Sequence, residues 1–484
     1  MATERCLERF SGIGYVLQDV ILTFIPRLTQ LAFGHSLTIV KSQKVKQFMG
    51  NEIRVLDLRD QEITRELVAT ELPRASIDVS QAAESIKPLL AEIQKDGAKA
   101  LVRVAKSIDG IYIEPIKVSA SELAKALEEL DSELRTSIEA SIDRVRRVSQ
   151  ANMPSNTSVS LAEGATVSQR WQPVESVGLY VPGGKAVYPS SVVMNVVPAQ
   201  VAGVKQISIA TPGQKAFGGR PNPTVLATAA LLGVENVYVI GGPAAVAAFA
   251  FGVPEIGLEP VELVTGPGNV YVAAAKRLLQ GKIAIDSEAG PTEILILADS
   301  QANPRFVAAD LLSQAEHDEL AAAVLVTDSE ELIAQVLQEV SSQLADTENQ
   351  ERAAAALKAQ QSALVLVSSM EQGIAIANYY ATEHLSIQTG APKAVAEQIT
   401  NAGALFVGAF SPVSLGDYLA GSNHVLPTGG QARFSSGLGV HTFLRAQQLI
   451  DYSQSALSEV ANNVVAIANQ EGLSAHGDAI KVRF

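Results

Sequence analysis

Along residues 63–105 apolar and charged positions interleave at helical spacing, and Pro88 and Gly97 are expected to divide the run into short helices. Ser119-Ala120-Ser121-Glu122 has the form of a capping box, in which serine and glutamate satisfy each other's free N–H groups. A second helical block follows to about Met153, with Leu123, Leu127, Leu130 and Leu134 three or four apart. Residues 167–181 change character: they read as extended, hold the sole tryptophan, Trp171, and end at Pro182-Gly183-Gly184. Pro173 inside this stretch cannot donate to a sheet, so it marks an edge or a break. From there strand, turn and helix repeat. Candidate strands are 206–210, 236–240, 261–265, 293–297, 323–327, 363–367 and 404–407, with alanine-rich helical segments between several of them. Such alternation predicts α/β domains with mostly parallel sheets. No internal repeat and no low-complexity linker interrupts the pattern, so the lobes are expected to be tightly joined.

Composition narrows the function. The 484 residues leave room for two or more domains with substantial cores. At 18% charged and 47% hydrophobic residues, the chain is globular rather than disordered. A net charge of −14 repels nucleic acid and anionic membrane, which leaves a small molecule or a protein as partner. The single cysteine, Cys6, excludes a disulfide framework and, in the main body, a cysteine-ligated zinc or a catalytic thiol. Any aldehyde oxidation must then proceed without a thiohemiacetal. Residues 10–33 are apolar, but Gln18, Asp19, Pro26, Arg27 and Gln30 break the run too often for a membrane span. Glu4, Glu8 and Asp19 argue against a transit peptide. The segment before Met49 is expected to be an upstream start or a dispensable extension.

Several stretches could carry chemistry. Ser313-Gln314-Ala315-Glu316-His317 closes a helix expected over 306–317, where positions three apart share a face. Gln314 and His317 could meet one zinc ion there, or His317 could simply cap the last carbonyls as a cation. Five of the six histidines lie at or beyond position 317, namely His317, His384, His424, His441 and His476, which points to a site built by the C-terminal half. Two glycine turns, Gly241-Gly242-Pro243 and Gly266-Pro267-Gly268-Asn269, follow strands and precede helices, as a phosphate site requires. Neither completes the G-x-G-x-x-G pattern, since Tyr271 takes the third glycine's place, and a plain tight turn fits equally. Glu383-His384 offers two proton carriers of different pKa, or only an exposed pair at a helix end. Residues 414–430 form a glycine-, serine- and asparagine-rich loop of functional or mobile type, and Glu471 to His476 lie close to the end, where chains fray.

Together these stretches resemble the histidinol dehydrogenase family. The residues that carry the resemblance are Gly178-Leu179-Tyr180-Val181-Pro182-Gly183-Gly184, Gly266-Pro267-Gly268-Asn269, Gly290-Pro291-Thr292-Glu293, Ser313 to His317, Glu383-His384-Leu385, Gly416-Asp417-Tyr418 with Asn423 to Thr428, and Glu471-Gly472-Leu473-Ser474-Ala475-His476. They follow the family's order across roughly residues 53–484. The first 50 or so residues match no family element.

The resemblance implies two Rossmann-like α/β lobes with an incomplete dinucleotide fingerprint and small helical N- and C-terminal parts. It divides the chain into the extension 1–50, a small segment 51–74, a first lobe of 75–179 with 294–438, an NAD-associated lobe 180–293, and a tail 439–484 reaching the partner subunit. It implies a cytoplasmic homodimer with shared active sites, acting on a small molecule and on neither nucleic acid nor membrane. The reaction is the oxidation of L-histidinol to L-histidine through bound L-histidinal with two NAD+. One Zn2+ per subunit is expected on Gln314, His317, Asp417 and His476, and catalysis on Glu383 and His384. Substrate contacts are expected from Thr292, Gln314, His317, His384, Asp417, His424, Glu471 and His476, and NAD contacts from Tyr180 and Asn269. Ala244 stands where the family carries glutamine, a change that removes one side-chain hydrogen bond to the cofactor. Thr292 replaces the usual serine and keeps its hydroxyl. Two other readings stay open: a related zinc alcohol dehydrogenase for another small polar diol, against which stand His424 and Glu471, and a zinc-binding protein without catalysis, against which stands Glu383-His384.

Overall fold

The computed structural model describes residues 53–75, 79–183, 187–288 and 290–484. The extension before Met49, with Cys6, lies outside the described residues, as does Gly184. A short strand, β1 (Val55–Asp57), comes first, then helix α1 (Arg65–Glu71), whose first turn is capped by the Thr64 hydroxyl accepting from Leu67 N. Four more helices follow: α2 (Val79–Asp96), α3 (Ala98–Val104), α4 (Ala120–Glu128) and α5 (Ser132–Ala151). Pro88 does not end α2 as expected, because it lies on the exposed face, where water can meet the carbonyl it frees. The break comes at Gly97, whose φ of +53° suits glycine. The capping box at α4 is complete, with Ser119 Oγ accepting from Glu122 N at 3.2 Å and Glu122 Oε2 accepting from Ser119 N at 2.9 Å.

Strands β2 (Thr157–Ala162) and β3 (Ala165–Pro173) form an antiparallel pair, and Pro173 ends β3, so the expected break is real. A parallel α/β run follows: β4 (Ser176–Tyr180), α6 (Pro189–Ala202), β5 (Gln206–Thr211), α7 (Pro223–Leu231), β6 (Asn236–Val239), α8 (Gly242–Phe251), β7 (Leu263–Thr265), α9 (Val270–Leu279) and β8 (Ala284–Ile285). Its sheet has the order β6-β5-β4-β7-β8, with the strand order reversing at β4. A second run contains β9 (Glu293–Ala298), α10 (Pro304–Ala315), β10 (Ala322–Thr327), α11 (Glu330–Leu344), α12 (Gln350–Lys358), β11 (Ala363–Leu366), α13 (Met370–Tyr380), β12 (His384–Gln388), α14 (Pro392–Ala396) and β13 (Ala404–Val407). Its all-parallel sheet has the order β1-β11-β10-β9-β12-β13. Every residue of β9 and β10 is buried, as helices on both faces require. Helix α15 (Val413–Tyr418) follows, and β14 (Leu444–Tyr452) returns to pair antiparallel with β3 before α16 (Gln454–Gln470) and α17 (Ser474–Lys481).

Packing corrects two expected boundaries. The helical block 79–151 joins the five-stranded lobe, not 294–438. The apolar stripe Ala82, Ala83, Ile86, Leu90 and Ile93 of α2 meets the alanine-rich α8 and α9, while α4 packs on α7 and α5 on α6. Residues 55–57 are not part of a separate segment either, since β1 extends the six-stranded sheet beside β11. No helix of the described residues is long and apolar enough to cross a membrane.

Candidate active site

Between the two parallel sheets lies a cleft of about 940 Å³. Strand β12 enters it by its first residue and β9 by Thr292 just before it, while β4 reaches it by its last residue, Tyr180, and β7 by the turn after its end. Its walls include Tyr180, Asn269, Thr292, His317, Glu383, His384, Asp417 and His424. Six residues expected at the site from the sequence, spread over 292–424, thus share this cleft with Tyr180 and Asn269, two of the three positions that the resemblance assigns to NAD.

His384 opens β12 and is 5% exposed. The reading of Glu383-His384 as an exposed pair at a helix end does not hold, since both are buried; a left-handed residue, Ala381 at φ +50°, ends α13 and bends the chain into β12, with Thr382 and Glu383 between. His384 Nδ1 lies 3.1 Å from the carbonyl oxygen of Glu293. A carbonyl only accepts, so Nδ1 carries the proton and the lone pair sits on Nε2. Nε2 is buried and has no protein partner. Burial, the largest influence, lowers the His384 pKa, partly opposed by Asp417, so the ring is neutral at pH 7.

Glu383 precedes it and is 6% exposed. One oxygen, Oε2, accepts from Thr292 Oγ1 at 2.6 Å and from Glu293 N at 2.9 Å. Gln314 Nε2 donates in turn to Thr292 Oγ1, so a chain of donors runs from α10 to the carboxyl. Burial outweighs these bonds and pushes the Glu383 pKa up to about 8.

Gln314 lies in the last turn of α10, and His317 falls just beyond the helix end at Glu316. Because the Gln314 amide nitrogen is committed to Thr292, its carboxamide oxygen is the end left for a ligand. Burial lowers the His317 pKa against the pull of Asp417, and burial raises the Asp417 pKa against the pull of His384 and His317. A neutral imidazole, a carboxylate and a carboxamide oxygen form a donor set suited to zinc. Among the described residues no three His, Cys, Asp or Glu side chains of the one chain stand in a metal-holding cluster. Glu471 and His476 are exposed where α16 meets α17 and do not line the cleft.

His424 is engaged at both ring nitrogens. Nδ1 donates to the backbone oxygen of Asp417 at 3.1 Å, and Nε2 accepts from Ser191 Oγ at 3.1 Å. Burial pushes its pKa down to about 4. Ser191, in the first turn of α6, carried no sequence signal beyond being a serine near a glycine turn.

The glycine turns sit at helix N-termini across the cleft. Tyr180 Oη accepts from Gly242 N at 2.9 Å and so caps α8, and burial pushes its pKa up to about 12. Asn269 caps α9, accepting from Tyr271 N and Val272 N, and is exposed to the cleft. Ala244 is 3% exposed within the core around α8 and does not line the cleft, so it does not join Tyr180 and Asn269 there.

Sequence reasoning also missed Arg74. It follows α1 and reaches Glu293 at the head of β9, with Nε 2.6 Å from Glu293 Oε1. Glu293 is 3% exposed, and burial pushes its pKa up to about 7 in spite of the arginine.

Comparison with known proteins identifies the family. The profile of the histidinol dehydrogenase family matches residues 72–484. A histidinol dehydrogenase of Leifsonia xyli subsp. xyli is 52% identical over 432 residues, covering 89% of this chain and 99% of that protein. One of Mycolicibacterium smegmatis is 52% identical over 432 residues, covering 89% of this chain and 97% of that protein. The crystal structure of histidinol dehydrogenase from Elizabethkingia anophelis superposes with a TM-score of 0.83 at 33% identity, covering 90% of this chain and 99% of that one. A family profile over the greater part of the sequence, near-complete relatives at half identity and a shared fold have one reading: the chain belongs to the histidinol dehydrogenase family.

Proposed function

We propose that this oxidoreductase takes L-histidinol to L-histidine, in histidine biosynthesis, through L-histidinal retained at the site and two NAD+-dependent steps. His384 carries the proposal. With Nδ1–H held by the Glu293 carbonyl, its Nε2 is a buried base with no competing partner. In the first step Nε2 takes the hydroxyl proton of the alcohol as the carbinol C–H leaves as hydride. The Gly266–Asn269 turn and the free N–H groups at the N-terminus of α9 would hold NAD+, which would supply the hydride acceptor. In the second step a base must take a proton from the water that hydrates the aldehyde. Glu383 suits that task, because Thr292 and the Glu293 amide fix its Oε2 and leave Oε1 for water. His384, protonated in the first step, returns that proton to the aldehyde oxygen as water adds, and then takes the proton of the resulting diol as the second hydride leaves to a second NAD+.

Gln314, His317 and Asp417 would hold a zinc ion, with His476 of a second copy as fourth ligand; bound there, the metal orients the substrate and polarises its oxygen. The exposed position of Glu471 and His476, outside their own chain's cleft, supports a homodimer whose tails complete each other's sites. A cytoplasmic location belongs to the same proposal. The test is a spectrophotometric assay of the zinc-loaded chain with L-histidinol and NAD+. Two NADH per histidinol and no released aldehyde are expected. No NADH, or one NADH with free histidinal, would overturn the reading.

A further inference from the structure

We infer that Arg74 and Glu293 are a positioning pair that fixes the aim of Glu383 and His384. The inference rests on the proposed acid–base role of those two residues. Neither Arg74 nor Glu293 is placed to touch substrate, and each acts through its neighbours.

Arg74 spans two pieces of chain. Its Nε donates to Glu293 Oε1 at 2.6 Å, while its Nη2 donates to the carbonyl of Tyr380 and lies 3.4 Å from that of Ala381. Its guanidinium also sits 4.2 Å from the Tyr380 ring centre. These carbonyls end α13, and Ala381 holds the left-handed conformation that L-residues rarely adopt. Only Thr382 separates Ala381 from Glu383. The arginine therefore grips the bend that decides where Glu383 and His384 point.

Glu293 grips the same two residues from the other side. Its N–H donates to Glu383 Oε2 at 2.9 Å, and its carbonyl accepts from His384 Nδ1 at 3.1 Å. Its side chain ties this peptide down, since Oε1 accepts both from Arg74 and from Gly429 N at 3.1 Å. One carboxylate thus links the N-terminal segment, the first residue of β9 and the loop after Thr428. A lysine at 74 could neutralise Glu293, but only the planar fork of arginine can serve the carboxylate and the α13 carbonyls together.

Such a pair is distinguished from a mere staple by what its loss changes. The wild-type chain is assayed first with L-histidinol and NAD+; failure there would count against the proposed reaction, not against this inference. Given an active wild type, Arg74→Met is expected to lower kcat roughly 10–100-fold, as small misplacements of reacting groups do, with both KM values nearly unchanged. Arg74→Lys, the milder change if the methionine variant folds poorly, is expected to remain below wild type in kcat. Ala381→Gly combined with either variant should recover part of the lost kcat, because glycine adopts the bend without help. A folded Arg74→Met enzyme with wild-type kcat would overturn the inference. So would full recovery by lysine, or the absence of any rescue by Ala381→Gly.

Discussion

Replacing Glu383 by glutamine keeps the side chain's shape and an acceptor for Thr292 and the Glu293 amide, but removes the carboxylate. In the proposed mechanism both oxidations draw on His384, but only the second also needs a base for water, so the two should respond differently. Alcohol oxidation draws on His384 Nε2, which stays neutral and unpartnered. Hydration of histidinal draws on the Glu383 carboxylate. A general base contributes about 10²–10⁴-fold in rate. With burial pushing its pKa up to about 8, Glu383 is raised above the usual carboxylate range and gains its charge only as pH rises toward that value. At pH 7 only about a tenth of it is ionised, so the variant's deficit in the histidinal step shrinks to roughly 10–10³-fold there and reaches its full size near pH 9. A dication bound beside Asp417 favours the carboxylate and moves the midpoint to lower pH, never higher. The assay is single-turnover NADH formation, started separately from histidinol and from histidinal, between about pH 6 and about pH 9. Equal losses in both half-reactions would refute the argument and make Glu383 an orienting group for His384. A wild-type histidinal step that falls as pH rises through that range would refute it equally.

Four further outcomes are expected. His317→Ala combined with Asp417→Ala should reduce bound zinc to background in metal analysis, and because burial keeps His317 neutral, the wild type should release zinc only below about pH 6.5. Burial raises the Asp310 pKa to about 6, while Gln388 Nε2 donates to its Oδ2 at 2.8 Å, so the folded chain holds a proton there that the unfolded chain gives up, and stability is lost as pH rises from about 4 through about 6. Asp310→Asn, which can pair with the unpartnered Gln388 Oε1, should therefore stabilise by up to ~3 kcal/mol at pH 8 and by little at pH 4, and thermal melts showing the reverse order would count against it. Lys276 Nζ lies 2.5 Å from Asp286 Oδ1 and 2.6 Å from the Gly266 carbonyl, both partners buried, so Lys276→Met should cost about 3–5 kcal/mol in urea melts and raise the KM for NAD+, with Asp286→Asn restoring part of the stability. If tails complete each other's sites, mixing inactive His476→Ala and His384→Ala chains through dissociation and reassociation should return about a quarter of wild-type activity, whereas no recovery would place His476 in its own chain's site.

What the sequence disclosed follows from where each signal arises. The seven candidate strands are all present because parallel strands covered on both faces must be apolar throughout, and runs such as Ile294 to Leu297 say so directly. Strand β12 was hidden because it begins on an ionisable residue and carries serine and glutamine at alternate positions, all buried by tertiary contact. Strand β14 was hidden for the opposite reason: most of its residues are exposed, with polar Arg445, Gln447, Gln448 and Asp451 among them, and pairing with β3 holds it extended. The cleft residues could be nominated one motif at a time, since His, Glu and Asp among glycines are conspicuous in a chain with six histidines. Their state could not. Nothing local marks which nitrogen of His384 holds the proton, and that depends on a carbonyl 91 positions away. Nor does anything local separate Glu293 from Glu383. The first is partly neutralised by an arginine 219 positions earlier and holds a backbone in place, while the second meets a hydroxyl, an amide and, at 3.5 Å, His384 Nδ1, and keeps an oxygen for water. Two buried glutamates of one cleft thus take different duties from their partners, and that division exists only once the chain has folded.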